Sequence, residues 1–122
     1  MIKKIFHFYN FIIISLYIYP GSLFGLLVNS DISKGPKIFP SFIFALDHFC
    51  AFLFLSLLGL ISYFKNQKKI IIYLILISVF VEFFHLFIPN REFQISDFFA
   101  NITGVFIPIF MFTLFKIKKK KY

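Results

Sequence analysis

The chain has 122 residues, of which 60% are hydrophobic and 15% are charged, and it carries a net charge of +8. A soluble domain of this length cannot cover so much apolar surface with so few charged residues. The composition therefore excludes an ordinary soluble protein and indicates a membrane protein, with one domain over residues 1–122. The single cysteine, Cys50, excludes an intramolecular disulfide.

The first two apolar runs cover residues 5–28 and 42–64. A helix needs roughly 20 residues to cross the hydrocarbon core of a bilayer, and both runs are long enough for this. A Pro-Gly pair that begins at Pro20 interrupts the first run, which predicts either a kink or an exit turn after a short span. The second run is apolar except for two consecutive polar residues, Asp47 and His48.

The start of the first run also fits a cleaved signal peptide, since the letters MIKK resemble a charged n-region. The region after Tyr19 lacks an Ala-x-Ala-like cleavage site. An even number of spans, which agrees with the charge distribution described below, works without cleavage. We therefore expect the first run to remain as a span.

The third and fourth apolar runs cover residues 70–88 and 98–115. Glu82 and His85 interrupt the third run, and the fourth contains Asn101. The loops that join the four runs are residues 29–41, 65–69 and 89–97. The predicted fold class is all-α: a polytopic membrane protein built as a bundle of four transmembrane helices.

Ten of the 13 basic residues lie in three segments that contain no acidic residue. These ten are Lys3, Lys4, Lys65, Lys68, Lys69, Lys116, Lys118, Lys119, Lys120 and Lys121. By the positive-inside rule the three segments are cytoplasmic, so we expect both termini in the cytoplasm and the chain in the cell (inner) membrane. The basic tail is then an anchor that contacts anionic lipid of the bilayer. We expect no nucleic-acid partner, because no aromatic-interleaved soluble module accompanies the tail.

This topology brings the ionisable groups of the spans to one depth, in the outer third of the membrane. At about 1.5 Å per residue, Asp47 and His48 lie roughly 8–9 Å below the outer surface, and Glu82 and His85 lie about 9 and 5 Å below it. Arg91 lies in the last outer loop. An ionisable group that faces lipid costs several kcal/mol, so we expect these side chains to face the bundle interior or a wet cavity.

Helical spacing places the polar residues on two helix faces. One face of the third run contains Glu82, His85 and Pro89, at positions i, i+3 and i+7. A stripe on the fourth run is formed by Asp97, Asn101, Gly104 and Pro108. The glycine in this stripe allows a neighbouring helix to approach closely. We predict one outward-opening polar site, with Arg91 as the counter-ion of Glu82 or Asp97.

Structural roles are the alternative for several of these residues. Asp97 precedes the fourth apolar run, so its side chain is placed to cap the free backbone N–H groups of that helix. Asn101 can hydrogen-bond across helices. Glu82 has no such helical role, which favours a functional interpretation of its carboxyl group.

Two chemical roles remain open for the polar site. Glu82 and His85, with Asp47 and His48, supply the ligand types of a metal site, and Glu-x-x-His on a helix occurs in di-metal bundles. Only one such pair is present and its spacing is common, so we expect no metal and no cofactor. The second role is acid–base catalysis by Glu82 with a histidine. No nucleophile has an evident base beside it, so we favour binding over catalysis.

The letters VEFFHLFIPNREFQISDFFANITG resemble the signature of VanZ-like membrane proteins. In that signature an E-x-x-Q pair is followed by a proline, an arginine, an aspartate and an N-x-x-G. The residues that match it in order and spacing are Glu82, Pro89, Arg91, Asp97, Asn101 and Gly104. The letters LDHFCAFLFLSLLGL resemble the family's earlier D-K-x-x-H-F element, with matches at His48 and Phe49. The proline of YPGS resembles the one that often ends the family's first helix.

Two departures make the chain a divergent member of such a family. The Asp-Lys pair of the earlier element falls at Phe44 and Ala45, and Asp47 replaces its acid only in part. The glutamine of E-x-x-Q is His85 here. Since the usual residue is glutamine, the resemblance gives no reason to expect a metal ligand at that position.

The resemblance implies a membrane protein of unsettled biochemical activity, in a family associated with low-level glycopeptide resistance. It suits a site that faces outward, where lipid headgroups and cell-envelope precursors are met, and we expect the chain to bind a ligand of that kind. The residues expected to bind it are His48, Glu82, Arg91, Asp97 and Asn101, with Asp47 and His85 in secondary positions. The alternatives are a membrane enzyme that acts on a lipid-linked substrate, and a small accessory subunit that assembles with another membrane protein.

Overall fold

A computed structural model of the chain describes residues 1–21, Ser30 and 45–120, without the side chains of the last two. The predicted first span beyond Gly21, the loop 29–41 apart from Ser30, and residues 42–44 of the predicted second span lie outside this part. All regular structure in the described residues is helical. The helices are α1 (Ile2–Ile18), α2 (Leu46–Ser62), α3 (Gln67–Phe84) and α4 (Ile95–Lys120).

Helix α1 ends just before the Pro-Gly pair; the predicted choice between a kink and an exit turn falls on residues 22–29, which lie outside the described part. Helix α1 stops at Ile18, and Tyr19 has an extended backbone with φ −62° and ψ 129°. The ring of a proline pushes the residue before it out of the helical region, which accounts for the conformation of Tyr19. Gly21 has a φ of 89°, which a glycine adopts without steric cost.

The connection between α3 and α4 differs from the prediction at both ends. Helix α3 ends at Phe84, before a proline that could not continue it, so Pro89 lies exposed in a turn and shares no helix face with Glu82. Helix α4 begins at Ile95, which makes Asp97 its third residue. The prediction that Asp97 caps this helix from outside is therefore wrong. Its carboxylate lies in the first turn, where the helix dipole favours a negative charge.

Helices α4 and α2 approach each other closely at Gly104. A Cβ atom added at this glycine would lie 2.6 Å from the carbonyl oxygen of Phe49 and 3.0 Å from the amide nitrogen of Leu53, both backbone atoms of α2. The predicted stripe on α4 is also buried, with Asn101 fully inaccessible and Pro108 in the interior. The expectation that this stripe faces a neighbouring helix is confirmed.

The basic residues of three separate segments meet at one end of the packed helices. The ammonium group of Lys3, on α1, lies 5.2 Å from the ring centroid of Tyr63, the residue that follows the end of α2. His7 hydrogen-bonds the hydroxyl of the same tyrosine at 2.7 Å. Lys116, near the end of α4, lies 5.2 Å from the ring centroid of Phe64. The N-terminus of α1 and the C-terminal parts of α2 and α4 are therefore neighbours.

The outer surface of the helices is strongly apolar. One helix in the described residues is long and apolar enough to cross a membrane, by length and composition: the segment Ile95–Lys118 of α4, with a mean hydropathy of 2.0 over its best window. Helix α2 is apolar but shorter. Large hydrophobic side chains are nevertheless exposed on every helix, for example Phe11 on α1, Phe54 on α2, Phe80 on α3 and Phe110 on α4. Soluble monomers do not expose apolar surface on this scale.

Candidate functional site

Polar side chains from all four described helices converge at one end of the helices, opposite the end where Lys3 and Lys116 lie. A nitrogen of His48, a carboxylate oxygen of Glu82 and a carboxylate oxygen of Asp97 lie within 4.8 Å of one another. Tyr17 and Asn101 complete this group, which we call the polar cluster. His48 and Asp97 lie in the first turns of α2 and α4, and Glu82 lies in the last turn of α3. The proximity predicted from membrane depth is confirmed for these three residues.

Tyr17 joins three helices through one hydroxyl group. Its oxygen lies 2.9 Å from Nδ1 of His48 and 3.2 Å from Oδ1 of Asn101. The tyrosine is 8% exposed and the asparagine is fully buried, so neither has water as an alternative partner. The sequence did not identify Tyr17 as a site residue. A single tyrosine in an aromatic-rich helix gives no signal of this role.

The hydroxyl of Tyr17 has one proton, which restricts the protonation of His48. When the hydroxyl donates to Oδ1 of Asn101, it can only accept from Nδ1–H of His48. Nε2 of the same ring then directs a lone pair towards Oδ2 of Asp97, 3.5 Å away, unless a proton or another cation lies between them. With the Asn101 amide turned over, the hydroxyl donates to Nδ1 and Nε2–H points at the carboxylate.

Glu82 and His85 share one proton in the interior. The carbonyl oxygen of Tyr17 lies 3.1 Å from Nε2 of His85 and can only accept, so Nε2 carries a hydrogen. Nδ1 of the same ring lies 3.2 Å from Oε1 of Glu82, and a proton must lie between these atoms for the contact to be favourable. The glutamate is fully buried and the histidine is 2% exposed.

The two oxygens of the Glu82 carboxyl group are in different environments. Oε1 also accepts a hydrogen bond from the backbone N–H of Gln94, at 3.0 Å, just before α4. Oε2 is buried and has no hydrogen-bond partner among the described residues. An unpaired buried oxygen of this kind costs about 1–3 kcal/mol, more when charged. Nδ2 of Asn101, in the same polar cluster, is also buried without a partner among the described residues.

Arg91 contacts the end of α1 and not the carboxylates. Its Nη2 donates to the carbonyl oxygen of Leu16 at 2.9 Å, and its Nε donates to that of Tyr19 at 3.3 Å. These carbonyls belong to the last turn of α1 and the residue after it, where intrahelical donors run out. It makes no ion pair within 4 Å with Glu82 or Asp97 among the described residues, so any role as their counter-ion is exerted without direct contact.

The charge of Arg91 still acts on the polar cluster from a short distance. Burial lowers the pKa of its guanidinium group, while Tyr17 and the two nearby carboxylates raise it.

The two residues predicted in secondary positions behave differently. His85 touches the polar cluster through Glu82, as described above. Asp47 lies in the first turn of α2, has one buried oxygen without a partner among the described residues, and does not belong to the group formed with His48. Besides its contact with His48, Asp97 accepts a hydrogen bond from the hydroxyl of Ser96 through Oδ1, at 3.1 Å. The polar cluster thus presents nitrogen and oxygen atoms with lone pairs, which suit the binding of a cation or a polar ligand, or proton transfer.

Comparison with protein families gave a match over nearly the whole chain. The model of the family described as VanZ/LLP1 matches residues 1–116. This confirms the resemblance seen in the letters around Glu82 and His48. Neither the curated proteins nor the solved structures contain a match.

Proposed function

Because the chain belongs to the VanZ/LLP1 family, we propose that it is a multi-pass protein of the cell inner membrane whose polar cluster binds a lipid headgroup or a cell-envelope precursor. The polar cluster opens towards the outer face of the membrane. Four helices cross the bilayer, and both termini are cytoplasmic.

The apolar side chains exposed on each described helix support four spans. Buried polar side chains combined with an apolar exterior on every described helix are the pattern expected for helices surrounded by lipid. Helices α1 and α2 have 17 residues each and α3 has 18. At 1.5 Å per residue they are about 26 Å long, somewhat less than the hydrocarbon core. Lysine side chains at their ends, which reach towards the headgroups, compensate for such a difference.

The meeting of Lys3, Tyr63, Phe64 and Lys116 supports the orientation. The positive-inside rule assigns a lysine-rich end to the cytoplasm. The polar cluster lies at the other end of the same helices, and so faces outward. The lysine–aromatic contacts are of the kind found at a membrane interface.

The observation that carries the binding role is the unpaired Oε2 of Glu82. A purely structural carboxylate is expected to have both oxygens satisfied, because a buried unpaired oxygen lowers stability. A ligand that donates a hydroxyl or an amine to Glu82 and Asp97, and presents a phosphate to Arg91, satisfies all three groups. Phosphorylated lipid headgroups and lipid-linked envelope precursors have this combination of groups.

The proposal is tested by the molecules that the protein retains. Wild type purified into nanodiscs is expected to retain a specific lipid or precursor that native mass spectrometry detects. Glu82→Gln keeps an oxygen for the Gln94 N–H, so it is expected to lose this ligand with a normal yield and melting temperature. Glu92→Gln, a change of an exposed acid in the neighbouring loop, is the control and is expected to retain the ligand.

The accessory-subunit function predicts a different result for the same substitutions. The hydrogen bonds of Tyr17 join three helices of this chain, as a structural role for the polar cluster requires. With that role, the chain would be a small accessory subunit of another membrane protein. If Glu82→Gln, Arg91→Ala and Asn101→Ala all lose the folded protein, the polar residues are structural and the binding proposal fails.

An enzyme is the remaining candidate, and the proton shared by Glu82 and His85 favours it. A carboxyl group that exchanges a proton with a buried histidine has the parts of a general base, and His48 is the other candidate base. Conversion of a co-purified lipid-linked substrate by wild type, and none by Glu82→Gln, would favour catalysis over binding alone.

A further inference from the structure

We propose that His48, Glu82 and Asp97 form the site of a single divalent transition-metal ion, with Zn²⁺ as the best match. One imidazole nitrogen and two carboxylate oxygens, from three different helices, lie within 4.8 Å of one another. Imidazole favours Zn²⁺ and its neighbours over Mg²⁺ and Ca²⁺, which prefer oxygen ligands alone. Three protein ligands with one open position is the arrangement of reactive zinc sites.

The contacts of His48 fit a metal ligand. In metal sites the nitrogen that does not bind the metal usually donates to a neighbouring acceptor, which fixes the tautomer and the ring orientation. Here Nδ1 lies 2.9 Å from the hydroxyl of Tyr17, which donates onward to Asn101. In the neutral ring with a hydrogen on Nδ1, Nε2 directs its lone pair at Oδ2 of Asp97, 3.5 Å away, so two acceptors face each other. A cation between them makes this contact favourable.

The contacts of Glu82 supply a second, independent observation. Its side chain is fully buried, and Oε2 has no partner among the described residues. Oε1 is fixed by Gln94 and His85, so the carboxyl group cannot turn to satisfy Oε2 without losing those bonds. A metal ion at the centre of the three residues gives the free oxygen a partner and neutralises part of the buried negative charge.

The distances require only a small contraction. Bonds of about 2.1 Å to a tetrahedral ion place ligand atoms about 3.5 Å apart. The His48–Asp97 distance of 3.5 Å already has this value. The widest separation in the group, up to 4.8 Å, has to close by about 1.3 Å when the ion binds.

The site differs from the one considered in the sequence. The sequence suggested Asp47 and His85 as ligands beside His48 and Glu82, and on that basis no metal was expected. In the structure Asp97 takes the place of both: His85 binds the Tyr17 carbonyl and Glu82 instead, and Asp47 lies apart. The metal site does not depend on the proposed headgroup ligand, and an ion there takes the place of the hydroxyl or amine proposed to donate to Glu82 and Asp97. A phosphate oxygen at the open position is an additional step that does rest on the proposed function.

Metal binding is measured directly on full-length protein purified in detergent, with an affinity tag that contains no histidine. Metal-depleted protein is titrated with Zn²⁺ alone in competition with a chromophoric chelator. We expect one Zn²⁺ per chain, bound in the micromolar range or tighter. His48→Gln and Asp97→Asn are each expected to weaken binding by more than about tenfold, since each removes one of three ligands.

Matched substitutions control for non-specific effects. His7→Gln removes a histidine at the opposite end, and Glu92→Gln removes an exposed acid; both are expected to bind Zn²⁺ as wild type does. X-ray absorption of the wild-type complex reports the ligands without any substitution, so it remains decisive if a variant does not fold. It is expected to show imidazole and oxygen ligands and no sulfur from Cys50.

Three results would overturn the site. They are substoichiometric zinc, equal losses in His7→Gln and His48→Gln, and a spectrum with sulfur or with no imidazole. The turned-over Asn101 amide, which gives Nε2 a hydrogen, then accounts for the His48–Asp97 contact. Because the titration uses the metal alone, its failure leaves retention of a lipid by wild-type protein unaffected.

Discussion

His85 and Tyr17 contact each other twice, through their rings and through the backbone. The rings stack with centroids 5.8 Å apart and an interplanar angle of 15°. Nε2 of the histidine also reaches the carbonyl oxygen of the tyrosine at 3.1 Å. The end of α3 is thereby fixed to the end of α1. Because His85 is held in place by Tyr17, it also fixes the orientation of the Glu82 carboxyl group.

Replacement of His85 distinguishes hydrogen bonding from stacking. His85→Gln restores the residue of the family signature. Its side-chain NH2 group can donate a hydrogen bond to the Tyr17 carbonyl or to Oε1 of Glu82. We expect it to lower the free energy of unfolding by about 1 kcal/mol or less. His85→Leu leaves Glu82 without this partner and is expected to cost about 3 kcal/mol. Denaturant titration in detergent micelles measures both, and equal costs would show that the hydrogen bonds contribute little.

Tyr17→Phe removes the hydroxyl group that joins three helices. His48 and Asn101 each lose a buried partner, so we expect a loss of about 1–3 kcal/mol of stability. The control is Tyr9→Phe, since the hydroxyl of Tyr9 donates at 3.2 Å only to the backbone carbonyl of Ala51, on the half-buried side of α1. Thermal unfolding followed by circular dichroism compares the two. A melting temperature that falls equally in both variants would contradict the bridging role of Tyr17.

Gly104→Ala tests the close approach of α4 to α2. The added methyl group meets backbone atoms of α2, which cannot rotate away, so the helices must separate. We expect a cost of about 1–3 kcal/mol even though alanine is the better helix former. Gly59→Ala is the matched control, because its methyl group would meet only side chains, at 3.1–3.4 Å. We expect that change to be close to neutral, and a reversed order would be incompatible with the packing described.

Arg91→Lys separates charge from geometry at the end of α1. Lysine keeps the positive charge but cannot donate to two carbonyl oxygens in the planar arrangement of a guanidinium group. We expect both Arg91→Lys and Arg91→Ala to lower the melting temperature, with a loss of about 1.5–3 kcal/mol for alanine. If lysine restored wild-type stability, the contacts with Leu16 and Tyr19 would be secondary to the charge.

The orientation is tested by cysteine labelling in intact cells. Cys50 is first replaced by alanine, and a cysteine is then introduced at Asn90, in the turn between α3 and α4. A membrane-impermeant maleimide is expected to label this cysteine from outside the cell. A cysteine at Asn66, in the turn between α2 and α3, is expected to react only after the cells are opened. Labelling with the opposite pattern would overturn the assignment of both faces.

The helices could be predicted from the sequence better than their ends. Apolar runs separated by lysine-rich or Pro/Gly-containing loops marked the helices, because composition alone distinguishes these segments. The start of α4 was missed by three residues, since Ser96 and Asp97 looked like loop residues and instead form the first turn. The end of α3 lies a turn before Pro89, a distance that the proline itself does not specify.

The polar cluster could be predicted only where charge marked it. His48, Glu82 and Asp97 were found because ionisable groups in apolar helices are rare, and helix direction places them at one depth. Tyr17 carries no charge and is one of six tyrosines in a chain with 22 phenylalanines. The partners of Arg91 are backbone carbonyls, which every residue has, so no pattern of side chains could indicate them.

The bond between Tyr17 and Asn101 has a consequence for the order in which the chain is made. The two residues are 84 positions apart, so the tyrosine has emerged from the ribosome long before its partner exists. Until α4 has been synthesised and packed, Tyr17 lacks Asn101 and His48 lacks Asp97, and Glu82 lacks the amide of Gln94. A chain interrupted before α4 therefore exposes unpaired polar groups, which distinguishes an incomplete protein from a finished one during biosynthesis.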